Sequence, residues 1–150
     1  MVTQKMVDVF MSKKNLAVVG VSRNKNKFGT VIYNELKKKG YNVFAVNPST
    51  TEIGGDKCYQ SIKELKDEIE AVVIVVPGIQ TEIIVEEANE IGIKHIWMQQ
   101  GSESDKAIIY CKKNGIEVIH NECILMFANP VKSIHSVHKW IWKILGKLPK

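Results

Sequence analysis

Between Gly20 and Gly29 the chain reads Gly-Val-Ser-Arg-Asn-Lys-Asn-Lys-Phe-Gly, so two glycines enclose Val21, Ser22, Arg23, Lys25, Lys27 and Phe28. Cationic side chains in such a loop form charge-assisted hydrogen bonds to phosphate oxygens. A glycine at a strand-to-helix turn lets outward-facing N–H groups approach an anion, and the helix N-terminus behind it adds partial positive charge. The stretch is therefore expected to cradle a phosphate-rich ligand, a nucleotide. A simpler role stays open for Gly20 and Gly29, namely turn geometry and close helix–strand packing.

That loop needs a strand before it and a helix behind it. Residues 15–21 are almost continuously apolar, as in a parallel strand buried on both faces. Residues 29–39 carry Val31, Ile32 and Leu36 at helical spacing, with Gly40 as the C-terminal stop. Residues 41–46 form a second strand, ended by Asn47-Pro48 because proline donates no ladder hydrogen bond. A loop through Gly54-Gly55 leads to a short helical piece at 61–65, and 71–76 is a third strand closed by Pro77-Gly78. Helix 80–91, strand 94–99, helix 105–114 and strand 116–120 follow, the two helices stopped by Gly92 and Gly115. A short amphipathic helix over 4–12 precedes these elements. A helical extension over 130–146 follows, with Ile134, Val137, Ile141 and Ile144 at helical intervals.

Alternating strands and helices predict an α/β fold: one domain over 1–150, with a doubly wound five-stranded parallel sheet and helices on both faces. The expected strand order is 3-2-1-4-5, with the ligand crevice at the carboxyl ends of strands one and four. Four loops should meet there: 20–29, 47–50, 76–79 and 99–102. The dinucleotide fingerprint G-x-G-x-x-G is broken by Ser22, and the acid that would bind an NAD ribose is replaced by Asn47-Pro48-Ser49. Both departures count against NAD. Lys25 or Lys27 could still accept the 2′-phosphate of NADP, so an NAD(P)-binding oxidoreductase or redox sensor remains the second reading.

Four segments, Val19-Gly20-Val21-Ser22-Arg23, Gly40-Tyr41-Asn42-Val43, Val46-Asn47-Pro48 and Trp97-Met98-Gln99-Gln100-Gly101, stand in order along residues 15–123. Together they resemble the stand-alone CoA-binding domain proteins, which are similar to the N-terminal domain of succinyl-CoA synthetase alpha subunits. The resemblance implies a Rossmann-like fold that holds CoA or acyl-CoA through its 3′-phospho-ADP part. It implies phosphate contacts at Gly20, Ser22 and Arg23, with Lys25 and Lys27 in the same loop. Asn47 and Pro48 would line the adenine–ribose side, Val76 and Pro77 would pack on the ligand, and Gln99 and Gly101 would border the pantetheine arm. The Asn24-Lys25-Asn26-Lys27 run is richer in lysine than the arginine and proline expected in that family. The synthetases use a second domain with a phosphorylated histidine and an ATP-binding partner subunit, neither of which fits within 150 residues. The expected role is thus a non-catalytic carrier, sensor or accessory module.

The remaining residues agree with such a role. No convergent nucleophile and base stand at the crevice loops, and His120 is a base without an evident partner. Cys58, Cys111 and Cys123 lack metal-ligand spacing and read as free thiols of a cytoplasmic protein. Cys123 is expected to be a buried thiol, the sharper alternative being a mixed disulfide with the CoA sulfur. His135 and His138 lie one helical turn apart but lack completing metal ligands, so helix-surface histidines are expected. Lys37-Lys38-Lys39 reads as a solvated helix end. The net charge of +5 favours an anionic partner. Its residues are dispersed and no recognition helix is present, so no nucleic acid is expected. No apolar run is long enough for a membrane span. The apolar stripe of the tail, with Trp140 and Trp142, is expected to pack on the sheet or on a second subunit, which favours a homodimer; a larger acyl-CoA enzyme is the other expected partner.

Overall fold

The computed structural model describes residues 2–128. The chain begins with helix α1 (Gln4–Met11), and β1 (Asn15–Val19) leads through the glycine loop into α2 (Phe28–Lys38) and β2 (Asn42–Val46). A hairpin of β3 (Glu52–Ile53) and β4 (Asp56–Tyr59) and a 3-10 turn (Ile62–Leu65) precede β5 (Ala71–Ile74). Then come α3 (Gly78–Glu90), β6 (His95–Gln99), α4 (Asp105–Lys113), β7 (Glu117–Glu122) and a 3-10 turn (Ile124–Met126). The helical extension expected over 130–146, with the His135/His138 pair and the apolar tail stripe, lies outside the described residues. Among the described residues no helix is long and apolar enough to cross a membrane.

The doubly wound α/β architecture is present, but the strand count and order need correcting. The sheet has seven strands in the order β3-β4-β2-β1-β5-β6-β7, parallel except at the β3–β4 hairpin. The strand expected third in line, β5, does not lie outside β2; it pairs with β1 on the opposite side, Val19 against Ile74. Numbering the five expected strands alone, the order is 2-1-3-4-5. The place beside β2 assigned to it is taken by β4, which pairs in parallel with β2, Val46 against Tyr59. Gly54 and Gly55 make this edge, because both have positive φ (57° and 88°), as the two central residues of a tight hairpin turn require. With the β2 edge filled, the chain crosses to the free edge of β1, and the crevice falls between β1 and β5.

Alternation within the strands divides the core into two layers. Leu16, Val18, Val73 and Trp97 face α1 and α2, where they pack with Phe10, Ile32 and Leu36. Ala17, Val19, Ile74 and Met98 face α3, α4 and the first 3-10 turn, and pack with Val85, Cys111 and Leu65. Burial on both faces is the reason these strands read as unbroken apolar runs. Trp97 is fully buried, edge-on to Phe10 at 5.3 Å, and its Nε1–H donates to the Glu122 carbonyl at 3.0 Å. Far from the crevice, Tyr41 Oη–H donates to the Met11 carbonyl at 3.0 Å and Asn42 Nδ2 to Asn15 Oδ1 at 2.8 Å. Two of the four quoted segments thus carry residues that hold the fold together.

Candidate functional site

The turn after β1 is built by close backbone approach. A Cβ on Gly20 (φ +111°) would stand 2.3 Å from the Val75 carbonyl oxygen, and one on Gly29 would stand 2.2 Å from the Gly20 carbonyl oxygen. Only glycine lets the first turn of α2 press on the loop and the loop on β5. Thr30 then pins the loop from the helix. Its hydroxyl accepts from Ser22 N–H at 3.0 Å and donates to the Ser22 carbonyl at 2.8 Å. Within the loop, Asn24 N–H donates to Ser22 Oγ and Asn26 N–H to Asn24 Oδ1, which shapes its polar crest.

Two clefts open on this turn. The larger, about 490 Å³, lies at the carboxyl ends of β1 and β2 and is floored by Val19, Gly20, Val46 and Val76. Asn47, Pro48 and Ser49 form one wall, Gln60, Ser61 and Ile62 a second, and the α3 face of Gln80, Ile83, Ile84 and Glu87 a third. The smaller, about 350 Å³, lies between the starts of α2 and α3 and is lined by Gly20, Ser22, Lys27, Phe28, Gly29, Val76 and Pro77. The N-cap positions of these two helices, Lys27 and Pro77, give no side-chain capping bond. By contrast α1, the first 3-10 turn and α4 are capped by the side chains of Thr3, Ser61 and Ser104. Among the described α-helices, the two that open on the smaller cleft are the two whose N-cap side chains make no capping bond. Such ends are suited to an anion.

Most of the residues singled out from sequence line one of three openings. Gly20, Asn47, Pro48 and Val76 come together in the larger cleft, and Ser22, Lys27, Phe28, Gly29 and Pro77 in the smaller one beside Gly20 and Val76. Arg23 and Lys25, with Ser22, border a third pocket on the far side of the loop. Arg23 donates from Nε and Nη2 to Thr50 Oγ1, at 3.2 and 3.0 Å. Val21 is buried in the core, and its carbonyl accepts from Asn47 Nδ2 at 2.8 Å.

Gln99 and Gly101 line none of these three openings. Gln99 is fully buried and its Oε1 accepts from Ile124 N–H at 3.1 Å, tying β6 to the turn after β7. Its Nε2 has no hydrogen-bond partner among the described residues, and burial pushes the Cys123 thiol up. Gly101 (φ +95°) leads to Ser102 and Glu103, which brace α3: Thr81 Oγ1–H donates to the Ser102 carbonyl at 2.7 Å.

The 3-10 turn wall and the α3 face of the larger cleft were not singled out from sequence. Both carried a signal. Ser61 and Glu64 form a capping box that sets the turn after β4, and Gln80, Ile83, Ile84 and Glu87 stand at i, i+3, i+4 and i+7, one face of a helix. Ser61 Oγ–H also donates to Glu87 Oε2 at 3.1 Å, joining the two walls. His120 lines none of the three openings, and burial pushes its pKa down. No group of three or more His, Cys, Asp or Glu among the described residues is placed to hold a metal ion.

A mostly parallel doubly wound sheet, a glycine turn with two uncapped helix ends, and an apolar cleft beside them define a Rossmann-like α/β domain. The chain belongs to the CoA binding domain family, which matches residues 14–129. It is 29% identical over 117 residues to the uncharacterized protein YneT of Bacillus subtilis, a match covering 78% of this chain and 87% of that protein. It is 28% identical over 130 residues to the alpha subunit of an ADP-forming acetate–CoA ligase II of Pyrococcus furiosus, covering 79% of this chain and 28% of the subunit. A conserved hypothetical protein of Pyrococcus furiosus has a solved structure with 39% identity and a TM-score of 0.71, over 74% of this chain and 96% of that one. The chain spans 12% of one of the ligases it matches and 28% of another.

Proposed function

We propose that this chain binds CoA or acyl-CoA across the two clefts at the glycine turn, as a carrier, sensor or accessory module. The pyrophosphate lies in the smaller cleft against Gly20, Ser22, Lys27 and Gly29, at the N-terminal ends of α2 and α3, neither of which is capped by its N-cap side chain. The adenosine occupies the larger cleft beside Asn47 and Pro48, on a floor of Val19 and Val46. The pantetheine arm leaves past Val76 and Pro77 toward the rim that Gln99 supports from below and Gly101 turns. Arg23 and Lys25 complete the field from the far side of the loop.

The observation that carries this reading is the pairing of uncapped α2 and α3 ends over one cleft, in a chain of the CoA binding domain family. A non-catalytic role is supported by the clefts' lining of glycine, amide, hydroxyl and apolar groups and the Lys27 cation, with Glu87 bonded to Ser61 and, among the described residues, no histidine or cysteine beside it. The relationship to a ligase alpha subunit supports a larger acyl-CoA enzyme as partner.

Thermal unfolding with CoA, acetyl-CoA, NAD and NADP tests this. A ligand at 100 times its Kd adds about 2.7 kcal/mol of stability, so the ranking is directly readable. CoA species are expected to raise the midpoint most. Greatest stabilisation by NAD or NADP would overturn the reading in favour of a dinucleotide site.

A further inference from the structure

The cationic surplus of the chain is confined to one segment. Over residues 1–128 the 16 acids are matched by 16 of the 21 lysines and arginines, so that part is neutral. Residues 129–150 contain Lys132, Lys139, Lys143, Lys147 and Lys150 and no Asp or Glu, and they carry the whole net charge of +5. A charge concentrated in this way marks the segment as the place where an anionic surface is met.

The same segment separates its cations from its apolar residues. At about 100° per residue, the spacing of the helix expected over 130–146, Ile134, Val137, Ile141, Ile144 and Leu145 fall between Trp140 and Trp142 on an arc of roughly 200°, interrupted by Ser133 and His138. Lys132, Lys139 and Lys143 fall within about 40° of one another, opposite the middle of that arc. An arc this wide exceeds the seam along which two helices pair, and it suits a helix lying in a membrane interface. Tryptophans at its two margins fall at headgroup depth, where indole is favoured. The described surface offers the arc no matching face. Ala128, the last described residue, is fully buried in the layer packed on α1 and α2. Among the described residues the exposed large apolar side chains are Ile79, Ile83 and Ile109, all on α3 and α4 across the sheet.

We infer that residues 129–150 dock on the headgroup surface of an anionic phospholipid bilayer and hold the α/β domain beside it. The inference goes beyond the CoA reading, and each can fail without the other. Packing of the stripe on a second subunit is the competing outcome.

Flotation of the full chain with vesicles of phosphatidylcholine, with and without phosphatidylserine, tests it. The protein is expected to float with the anionic vesicles and to stay behind with the neutral ones, and added salt should release it. Trp97 is fully buried, so a blue shift of tryptophan emission on adding anionic vesicles reports Trp140 and Trp142. The Lys139→Gln/Lys143→Gln/Lys147→Gln variant is expected to bind those vesicles about a hundredfold more weakly, from the loss of three lysines near the surface. Its unfolding midpoint without vesicles should match wild type, which separates lost docking from lost folding. Failure of wild type to float with anionic vesicles would overturn the inference, as would equal flotation with neutral ones or wild-type affinity in the variant. A dimer in sedimentation that Trp140→Ala/Trp142→Ala dissociates, with no vesicle binding by wild type, would overturn it in favour of a second copy.

Discussion

Asn47 holds the glycine turn to the end of β2 with both halves of its amide. Nδ2 donates to the Val21 carbonyl at 2.8 Å, and Oδ1 accepts from Ser49 N–H at 2.8 Å. An aspartate could supply only the accepting half and would set a carboxylate oxygen against a carbonyl oxygen. The amide that stands where NAD enzymes carry a ribose-binding acid thus has a structural task of its own. Asn47→Asp is expected to cost about 1–3 kcal/mol in urea denaturation, the penalty for a carbonyl left without its donor. Its affinity for CoA should fall with the displaced turn.

Gly29→Ala places a methyl carbon 2.2 Å from the Gly20 carbonyl oxygen, a contact only backbone movement relieves. Denaturation should show a loss of about 1–3 kcal/mol, as for other overpacked sites. A larger relative effect on CoA affinity than on stability would follow from moving the start of α2 off the turn. Wild-type stability and affinity in the variant would mean that the close approach is dispensable.

Asp56 links acid sensitivity to the hairpin. The Lys37 ammonium first, and the Tyr33 hydroxyl second, hold its carboxyl below the ordinary 3.8. A carboxyl depressed in the folded state adds stability that is present above its unfolded pKa and is lost as the pH falls below 3.8 through the folded value. Melting profiles from about pH 5 down to about pH 2 should show this loss in wild type, and Asp56→Asn should flatten that part of the curve. A variant profile parallel to wild type would contradict the linkage.

The three thiols are expected to be inert in the native state. Cys58, Cys111 and Cys123 are all buried, and burial pushes each thiol up, Cys111 to about 11. Thiolate is the nucleophile, so little of it is present at neutral pH. Intact mass after incubation with CoA disulfide should show no adduct. An adduct on Cys123 would restore the mixed-disulfide alternative.

The sequence made the glycine turn and its flanking apolar strands legible because both layers of the core impose unbroken hydrophobic runs. Leu16 and Val18 face α1 and α2, while Ala17 and Val19 face α3 and α4. The order of strands was less legible. Asp56-Lys57-Cys58-Tyr59 is short and polar, one strand in from the sheet edge, so β4 has no apolar run to announce it, although Gly54-Gly55 marks the hairpin that makes it. Once β4 is missed, nothing stops β5 from being placed on the wrong side of β1. The site shows the same division. Backbone-built parts, Gly20 and Gly29, follow from residue type, whereas side chains such as Gln99 and Lys37 take their roles from distant partners, Ile124 and Asp56.

Titration of isotope-labelled protein with CoA, read through backbone amide chemical shifts, tests binding at the glycine turn most directly. The largest shifts are expected at Gly20, Ser22, Gly29 and Val76, with smaller ones along the α3 face of Gln80 and Ile84. Saturating CoA that leaves those amides in place, or moves only residues remote from the two clefts, would contradict it.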